Sequence, residues 1–329
     1  MDSSLLTDRF NRQFTYLRLS LLPVCNFKCS YCLPNGNPKE ALHRSHLTLD
    51  EIRRLVIAFS GLGIKKIRFT GGEPTLRPDL IKIVETISLN NPDTILALTT
   101  NGFKLTELTD PLKKAGLGCL NVSVDSLIPD KFEQITGQNL LRHVLKGIEK
   151  ARMVGFSTIK INTVVLKGIN DGEVGSLIEW AENNQFELRF IELMETGDRV
   201  DYFKQHHTDL DFIKNYLTER GYFPVARAVH GGPADIWQSP KTKSRFGLIR
   251  PYRKDFCDSC NRLRVTSEGA LQLCLFGSGT LSLRKYLQRD GEEKYIQEAV
   301  LSALGAKTKT HFLHEGNYGI TRNLATIGG

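Results

Sequence analysis

Residues 66–70 read Lys66-Ile67-Arg68-Phe69-Thr70, and residues 158–162 read Thr158-Ile159-Lys160-Ile161-Asn162. Successive side chains of a strand point to opposite faces, so i and i+2 share one. Each stretch therefore has one polar face and one apolar face. The same division runs through Tyr16-Leu17-Arg18-Leu19-Ser20 and Asn121-Val122-Ser123-Val124-Asp125. Strands are expected at 16–22, 66–70, 94–99, 119–124, 158–165 and 186–192, with helices between them. A capping box, Thr48-Leu49-Asp50-Glu51, opens a helix that runs to about residue 62. Further helices are expected over 139–154, ended by Gly155, and over 171–183.

Six strand–helix units in series imply a parallel sheet with crossover connections. A strand flanked by helices turns its apolar face toward them, so the polar face must look elsewhere. A closed eight-stranded barrel fills its lumen with branched apolar side chains. Six strands lined by Lys, Arg, Ser, Asn and Thr predict an open barrel around a polar ligand. An antiparallel sheet with one wet face is the competing arrangement, and the strand–helix alternation argues against it. The expected fold is α/β, a partial (β/α)6 TIM-like barrel over 8–224. A C-terminal cluster-binding extension, 225–329, closes it with short strands, a basic stretch at 241–254 and a late helix over 281–304.

The chain has 329 residues, enough for one large core or two smaller ones. No run of 18 apolar residues occurs and the start has no secretory pattern, so a cytoplasmic location with no membrane contact is expected. The net charge of +8 favours anionic partners, either nucleic acid or a polyphosphate nucleotide. There is no zinc-finger helix pattern, aromatic RNP-like strand or dense Lys/Arg block, which argues against nucleic acid.

Seven cysteines are an odd number for a disulfide framework. Six fall into two groups: Cys25, Cys29 and Cys32, then Cys257, Cys260 and Cys274. Cys119 stands alone in a strand pattern and is read as a buried small hydrophobe. The first triad follows the first strand, at the barrel mouth where sites are built. Three thiolates on a cubane cluster leave one iron open to a non-protein ligand. A zinc ion that borrows His43 or His46 is the alternative. The second triad is likewise three thiolates without an obvious fourth ligand, and a structural zinc is again the alternative. Gly71-Gly72 after the second strand lets backbone approach a ligand closely, or makes a simple strand-to-helix turn.

The CxxxCxxC spacing, with Tyr31 before the last cysteine, resembles the signature of the radical S-adenosylmethionine superfamily. Gly71-Gly72-Glu73-Pro74 is similar to its GGEP motif. The run from Phe256 through Cys257, Cys260, Asn261, Arg262, Arg264 and Thr266 to Cys274 resembles the GTP 3′,8-cyclases of molybdenum-cofactor biosynthesis. Agreement extends through Leu98-Thr99-Thr100-Asn101-Gly102, Arg189 to Met194 and the terminal Gly328-Gly329. Leu33, Leu22-Pro23-Val24 and Arg253-Lys254 depart from the family pattern, at no expected ligand.

The resemblance implies two 4Fe-4S clusters, one on each triad, and S-adenosyl-L-methionine bordered by Tyr31, Gly72, Ser123 and Met194. It implies GTP as substrate, cyclised from ribose C3′ to guanine C8 after reductive cleavage of S-adenosylmethionine to a 5′-deoxyadenosyl radical. The second cluster would anchor the guanine. Arg18, Lys66, Arg68, Thr99, Lys160, Arg189, Arg262 and Arg264 would bind GTP; with no Walker loop present, a cage of cations must hold the phosphates. Gly328 and Gly329 would thread into the site and serve catalysis. A homodimer, a flavodoxin- or ferredoxin-type electron donor and cyclic pyranopterin monophosphate synthase as the next enzyme complete the expectation. A radical maturase acting on a peptide and a zinc-containing nucleic-acid-binding protein are the competing functions.

Overall fold

A computed structural model describes residues 6–42, 45–228, 230–277 and 279–325. The six expected strands form: β1 Tyr16–Leu22, β2 Lys66–Gly71, β3 Ile95–Thr100, β4 Cys119–Ser123, β5 Thr158–Val165 and β6 Glu187–Glu192. They pair in chain order and all in parallel. Their apolar faces lie under the helices. Leu17, Leu19, Ile67, Phe69, Leu98, Leu120, Val122, Ile161, Leu188 and Phe190 are fully buried. The helix Leu49–Gly61 answers with Ile52, Leu55, Val56 and Phe59, spaced as one helical stripe. Burying each such side chain contributes about 1.5–3 kcal/mol. The capping box is present, with Thr48 Oγ1 accepting from Glu51 N at 3.2 Å and Glu51 Oε2 accepting from Thr48 N at 2.7 Å.

The chain from residue 223 onward extends the sheet at both edges. It supplies β7 Phe223–Val225, β8 Asp235–Gln238, β9 Arg245–Ile249, β10 Arg262–Val265, β11 Ala270–Gln272 and β12 Thr280–Ser282. β9 pairs in parallel with β6, and β10 in parallel with β1. The expected six parallel strands thus become eight within one twelve-stranded sheet, ordered β12-β11-β10-β1-β2-β3-β4-β5-β6-β9-β8-β7. Antiparallel pairs finish both ends.

Two expectations change. The late helix covers Glu293–Leu304 only, because Leu281 belongs to β12 and Arg284–Leu287 makes a short 3-10 turn before Asp290-Gly291. Cys119 is half-buried rather than core. It lies at i−2 and i−4 from Asn121 and Ser123, and so on the polar face. Among the described residues no helix is long and apolar enough to cross a membrane.

Candidate active site

The first triad sits in the loop that leaves β1. Lys28 N and Ser30 N donate to Thr136 O at 2.9 Å and Ile135 O at 2.8 Å, which fastens the loop to the end of the helix Pro129–Thr136. Phe27 packs edge-on against Phe132, with ring centroids 6.3 Å apart. Cys25 exchanges two hydrogen bonds with Asn37: its N–H donates to Asn37 Oδ1 and Asn37 Nδ2 donates to its carbonyl, both at 2.8 Å. Burial pushes the Cys25 thiol up to about 11 and the Cys32 thiol up to about 12. Thiols this reluctant to ionise become thiolates when a metal group takes the place of their protons. None of the seven cysteines is in a disulfide.

Gly71 and Gly72 line the cavity and also allow close backbone-to-backbone contact. Gly71 has φ +138°, and a Cβ there would lie 2.2 Å from Leu22 O. A Cβ at Gly72 would lie 2.1 Å from Val24 O and 2.9 Å from Cys25 N. Their absence lets Gly72 N donate to Leu22 O and Glu73 N to Val24 O, both at 2.8 Å. The end of β2 is thereby pressed against the run that carries the first cysteine.

The second triad is assembled by the extension. Cys257 and Cys260 precede β10, and Cys260 N donates to Cys257 O at 3.1 Å. The antiparallel β10–β11 pair, with Arg264 opposite Gln272, returns the chain so that Cys274 comes back to the same cavity. Burial raises the Cys260 thiol, but Arg262, Lys307 and Arg12 outweigh it and hold the thiol below its usual range. The first triad instead adjoins the buried carboxylates Glu73 and Asp125.

Both triads line one cavity. Tyr31, Gly72, Ser123 and Met194 line it too, as do Arg18, Arg68, Thr99, Arg189, Arg262 and Arg264. Lys66 and Lys160 share the polar faces of β2 and β5 but do not line it themselves. Arg68 donates to Leu98 O at 3.2 Å, to Thr99 Oγ1 at 3.3 Å and to the Tyr16 hydroxyl. Lys160 Nζ and Arg189 Nη2 grip Glu187 at 2.6 and 2.7 Å. Burial brings Arg18 down to about 10, and it lowers Arg264 well below its usual range, with Arg18 and Arg262 adding to the effect. So many mutually repelling cations in a buried wall fit a polyanionic ligand.

The wall also has unmet polar capacity. Asn121 Oδ1, Asn162 Oδ1 and His311 Nε2 are buried without a hydrogen-bond partner, and all three residues line the cavity. Buried polar atoms of this kind normally have a partner, and a ligand in the cavity would supply one. Among the described residues no three His, Cys, Asp or Glu side chains converge on a single ion. His46 stands away from the cavity among Arg77, Glu268 and Arg284, and His43 lies outside the described residues. His46 is therefore not placed to complete a zinc site with the first triad. The chain's end reaches the same place: Leu324 and Ala325 line the cavity, and their backbone N–H groups face the Cys32 thiol. Gly328 and Gly329 lie outside the described residues.

Several site residues escaped the sequence reading. Glu73 and Asn101 stood inside quoted stretches without a role. Asp125 accepts from Tyr31 Oη at 2.9 Å, and burial raises its carboxyl to about 6. Arg12 donates to Cys257 O at 3.1 Å from a distant part of the chain. Only the alternation of polar residues along a strand could have pointed to Tyr16 and Glu187, and no local signal marks Arg12.

A parallel barrel open on one side, with a three-cysteine loop at its mouth, is the design of radical S-adenosylmethionine enzymes, and residues 19–181 match the Radical SAM superfamily model. Residues 186–313 match the model described as Molybdenum Cofactor Synthesis C. The chain is 47% identical over 328 residues to the GTP 3′,8-cyclase of Aeromonas hydrophila, covering 98% of this chain and 96% of that protein. It is 46% identical over 328 residues to the GTP 3′,8-cyclase of Cronobacter sakazakii, covering 99% and 100%. The chain belongs to the GTP 3′,8-cyclase family. Its fold also resembles that of Streptococcus suis SuiB bound to S-adenosylmethionine, with TM-score 0.65, 14% identity and coverage of 91% of this chain and 69% of that one.

Proposed function

We propose that this chain converts GTP into (8S)-3′,8-cyclo-7,8-dihydroguanosine 5′-triphosphate, the first step of molybdopterin biosynthesis. The observation that carries the reading is that both cysteine triads and five arginines line one cavity. Cys25, Cys29 and Cys32 would hold a 4Fe-4S cluster, which supplies the electron that cleaves S-adenosylmethionine to methionine and the 5′-deoxyadenosyl radical that takes hydrogen from GTP C3′. Tyr31, Gly72, Ser123 and Met194 border the S-adenosylmethionine. Cys257, Cys260 and Cys274 would hold a second 4Fe-4S cluster at the guanine end.

Arg18, Arg68, Arg189, Arg262 and Arg264 would grip the triphosphate from the cavity wall, Lys66 and Lys160 would add charge from behind that wall, and Thr99 supports Arg68. Guanidinium forks suit phosphate oxygens, while each Lys adds point charge. These side chains stand on strands whose outer faces are largely buried under the helices, which limits their movement before substrate arrives. Holding C3′ against C8 of the same molecule is an orientation task of the kind that lowers a barrier strongly. The apolar wall of Phe27, Leu33, Phe256 and Phe276 keeps water from the reacting carbon. We assign the electron supply to a flavodoxin- or ferredoxin-type donor, the product to cyclic pyranopterin monophosphate synthase, and a homodimer as the working form in the cytoplasm.

The test is anaerobic reconstitution with iron and sulfide, followed by dithionite, S-adenosylmethionine and GTP. About eight irons per chain and GTP-dependent 5′-deoxyadenosine are expected. About four irons with cleavage that ignores GTP would overturn the second cluster and the substrate.

A further inference from the structure

Tyr16 opens β1 on the lumen face, in register with Lys66 of β2 and Arg262 of β10. It is only 4% exposed, lines the cavity, and belongs to neither the cluster ligands nor the phosphate-binding cations. Its oxygen accepts the Nε–H of Arg68. Lys66 Nζ lies 5.4 Å and Arg68 Cζ 5.9 Å from its ring centroid. The charged groups on the elements packed around it are cationic: Arg18 on its own strand, Lys66 and Arg68 on β2, Arg262 and Arg264 on β10. The carboxylate of Glu187, two strands beyond β4, is already held by Lys160 and Arg189. Below the strand, Thr15 Oγ1 is 2.9 Å from His230 Nδ1.

We propose that Tyr16 is a positioning residue and internal counter-ion of the phosphate cage, which holds Arg68 and offsets its neighbours' charge until a nucleoside triphosphate binds, and then takes up a proton. The proposal rests on GTP being the substrate. Burial by itself would push the phenol up, but Arg68, Arg18 and Lys66 outweigh it and bring it down to about 7. A phenolate in this place orders the guanidinium fork of Arg68, which otherwise faces like charges. The triphosphate brings negative charge to the same cations, so the phenolate becomes unfavourable and the bound state prefers the phenol.

Substrate binding consumes a proton above about pH 7, so the wild-type KM for GTP rises by up to about tenfold between pH 6 and pH 8 from this group alone. Titration of GTP itself is common to every variant.

The test compares reconstituted wild type with Tyr16→Phe. At pH 6 the variant should show a KM about tenfold higher, the loss of one hydrogen bond to a charged group, with kcat within about twofold. From pH 6 to 8 its KM should climb less steeply than the wild type's. Parallel profiles, an unchanged KM, or a loss confined to kcat would overturn the proposal. Wild type alone supplies a second measurement, which holds even where the variant loads no iron. At pH 8, GTP should remove the near-ultraviolet absorbance of one tyrosinate, and no change would overturn the proposal. Failure of the wild type to turn over GTP at all would instead overturn the substrate assignment.

Discussion

Glu73 reaches from the end of β2 to the end of β3, where its Oε2 accepts the backbone N–H of Asn101 at 2.7 Å. Its Oε1 accepts from Thr75 N at 3.0 Å and from the Thr100 hydroxyl at 2.7 Å. Asn101 in turn donates from its side chain to Asn26 Oδ1 at 2.8 Å and lies 3.8 Å from Cys25 Sγ. One buried carboxylate thereby ties two strand ends to the first cysteine. Burial pushes its carboxyl above the usual range even though four donors support the charge.

Glu73→Gln tests this tie. The amide keeps the shape but has one acceptor oxygen. With that oxygen facing Thr75 and Thr100, the NH2 meets the Asn101 N–H, and one buried donor is left unmet. The expected cost is on the order of 2 kcal/mol, read as a lower urea midpoint at unchanged slope. An unchanged midpoint would show that the carboxylate is not structural.

How far the sequence carried the reading depended on sequence distance. The polar–apolar alternation of Lys66 to Thr70 and Thr158 to Asn162 marked both the strands and the lumen face, because period two is a local property. Both cysteine groups announced themselves by spacing. The parallel pairing of β10 with β1 did not, although Arg262-Leu263-Arg264-Val265 alternates in the same way. A parallel partner 246 positions away, as Tyr16 is from Arg262, leaves no mark in either segment. The same holds for Arg12. Glycine use was legible only in part: Gly72 lines the cavity, but a Cβ there would also meet Val24 O, and nothing local marks that backbone contact.

Lys160 supplies a pH prediction. Burial and then Arg189 bring its ammonium down to about 8, against the pull of Glu187. The folded value lies below the ordinary lysine value of about 10.4. The folded chain therefore binds fewer protons than the unfolded chain between these values, and this group's cost to stability is relieved as pH rises through 8. Its charge is lost over the same window, so the KM for GTP should rise above about pH 8. Lys160→Arg cannot deprotonate there and should flatten that part of the profile. An equal rise in both proteins would place the titration elsewhere.

Arg12 makes the base of the second triad dependent on the N-terminal segment. Its guanidinium pairs with Asp8 at 2.6 Å, both side chains being buried. It also donates to Thr308 O and Lys309 O, each at 2.7 Å, as well as to Cys257 O. Arg12→Ala strands a buried carboxylate and three carbonyls, at an expected cost of about 3–5 kcal/mol. Arg12→Lys should rescue little, because one ammonium cannot span four acceptors in three directions. Iron content should fall toward about four per chain, with the first triad still loaded. Full loading in Arg12→Ala would show that Cys257 is held without it.

The tail gives the prediction with the longest reach. Thr321 O and Arg322 O accept from Gly197 N at 3.0 Å and Asp198 N at 3.1 Å, which anchors the chain beside the barrel mouth. Leu324 and Ala325 then enter the cavity wall against Cys32. Four residues remain, a span of at most about 14 Å, and the last two have no side chains to obstruct a narrow lumen. Deleting Gly328 and Gly329 should lower turnover by on the order of 100-fold through lost substrate orientation, with iron content and S-adenosylmethionine binding unchanged. Truncation after Asn323 should add a second effect, since it removes the two N–H groups that face Cys32. Hydrogen bonds to ligand sulfurs raise a cluster's potential, so the first cluster's midpoint should shift downward only in the longer truncation. Equal turnover in the full chain and in the two-glycine deletion would reduce the tail to a cover over Cys32, whereas loss of turnover at a constant midpoint would assign the glycines to the reaction itself.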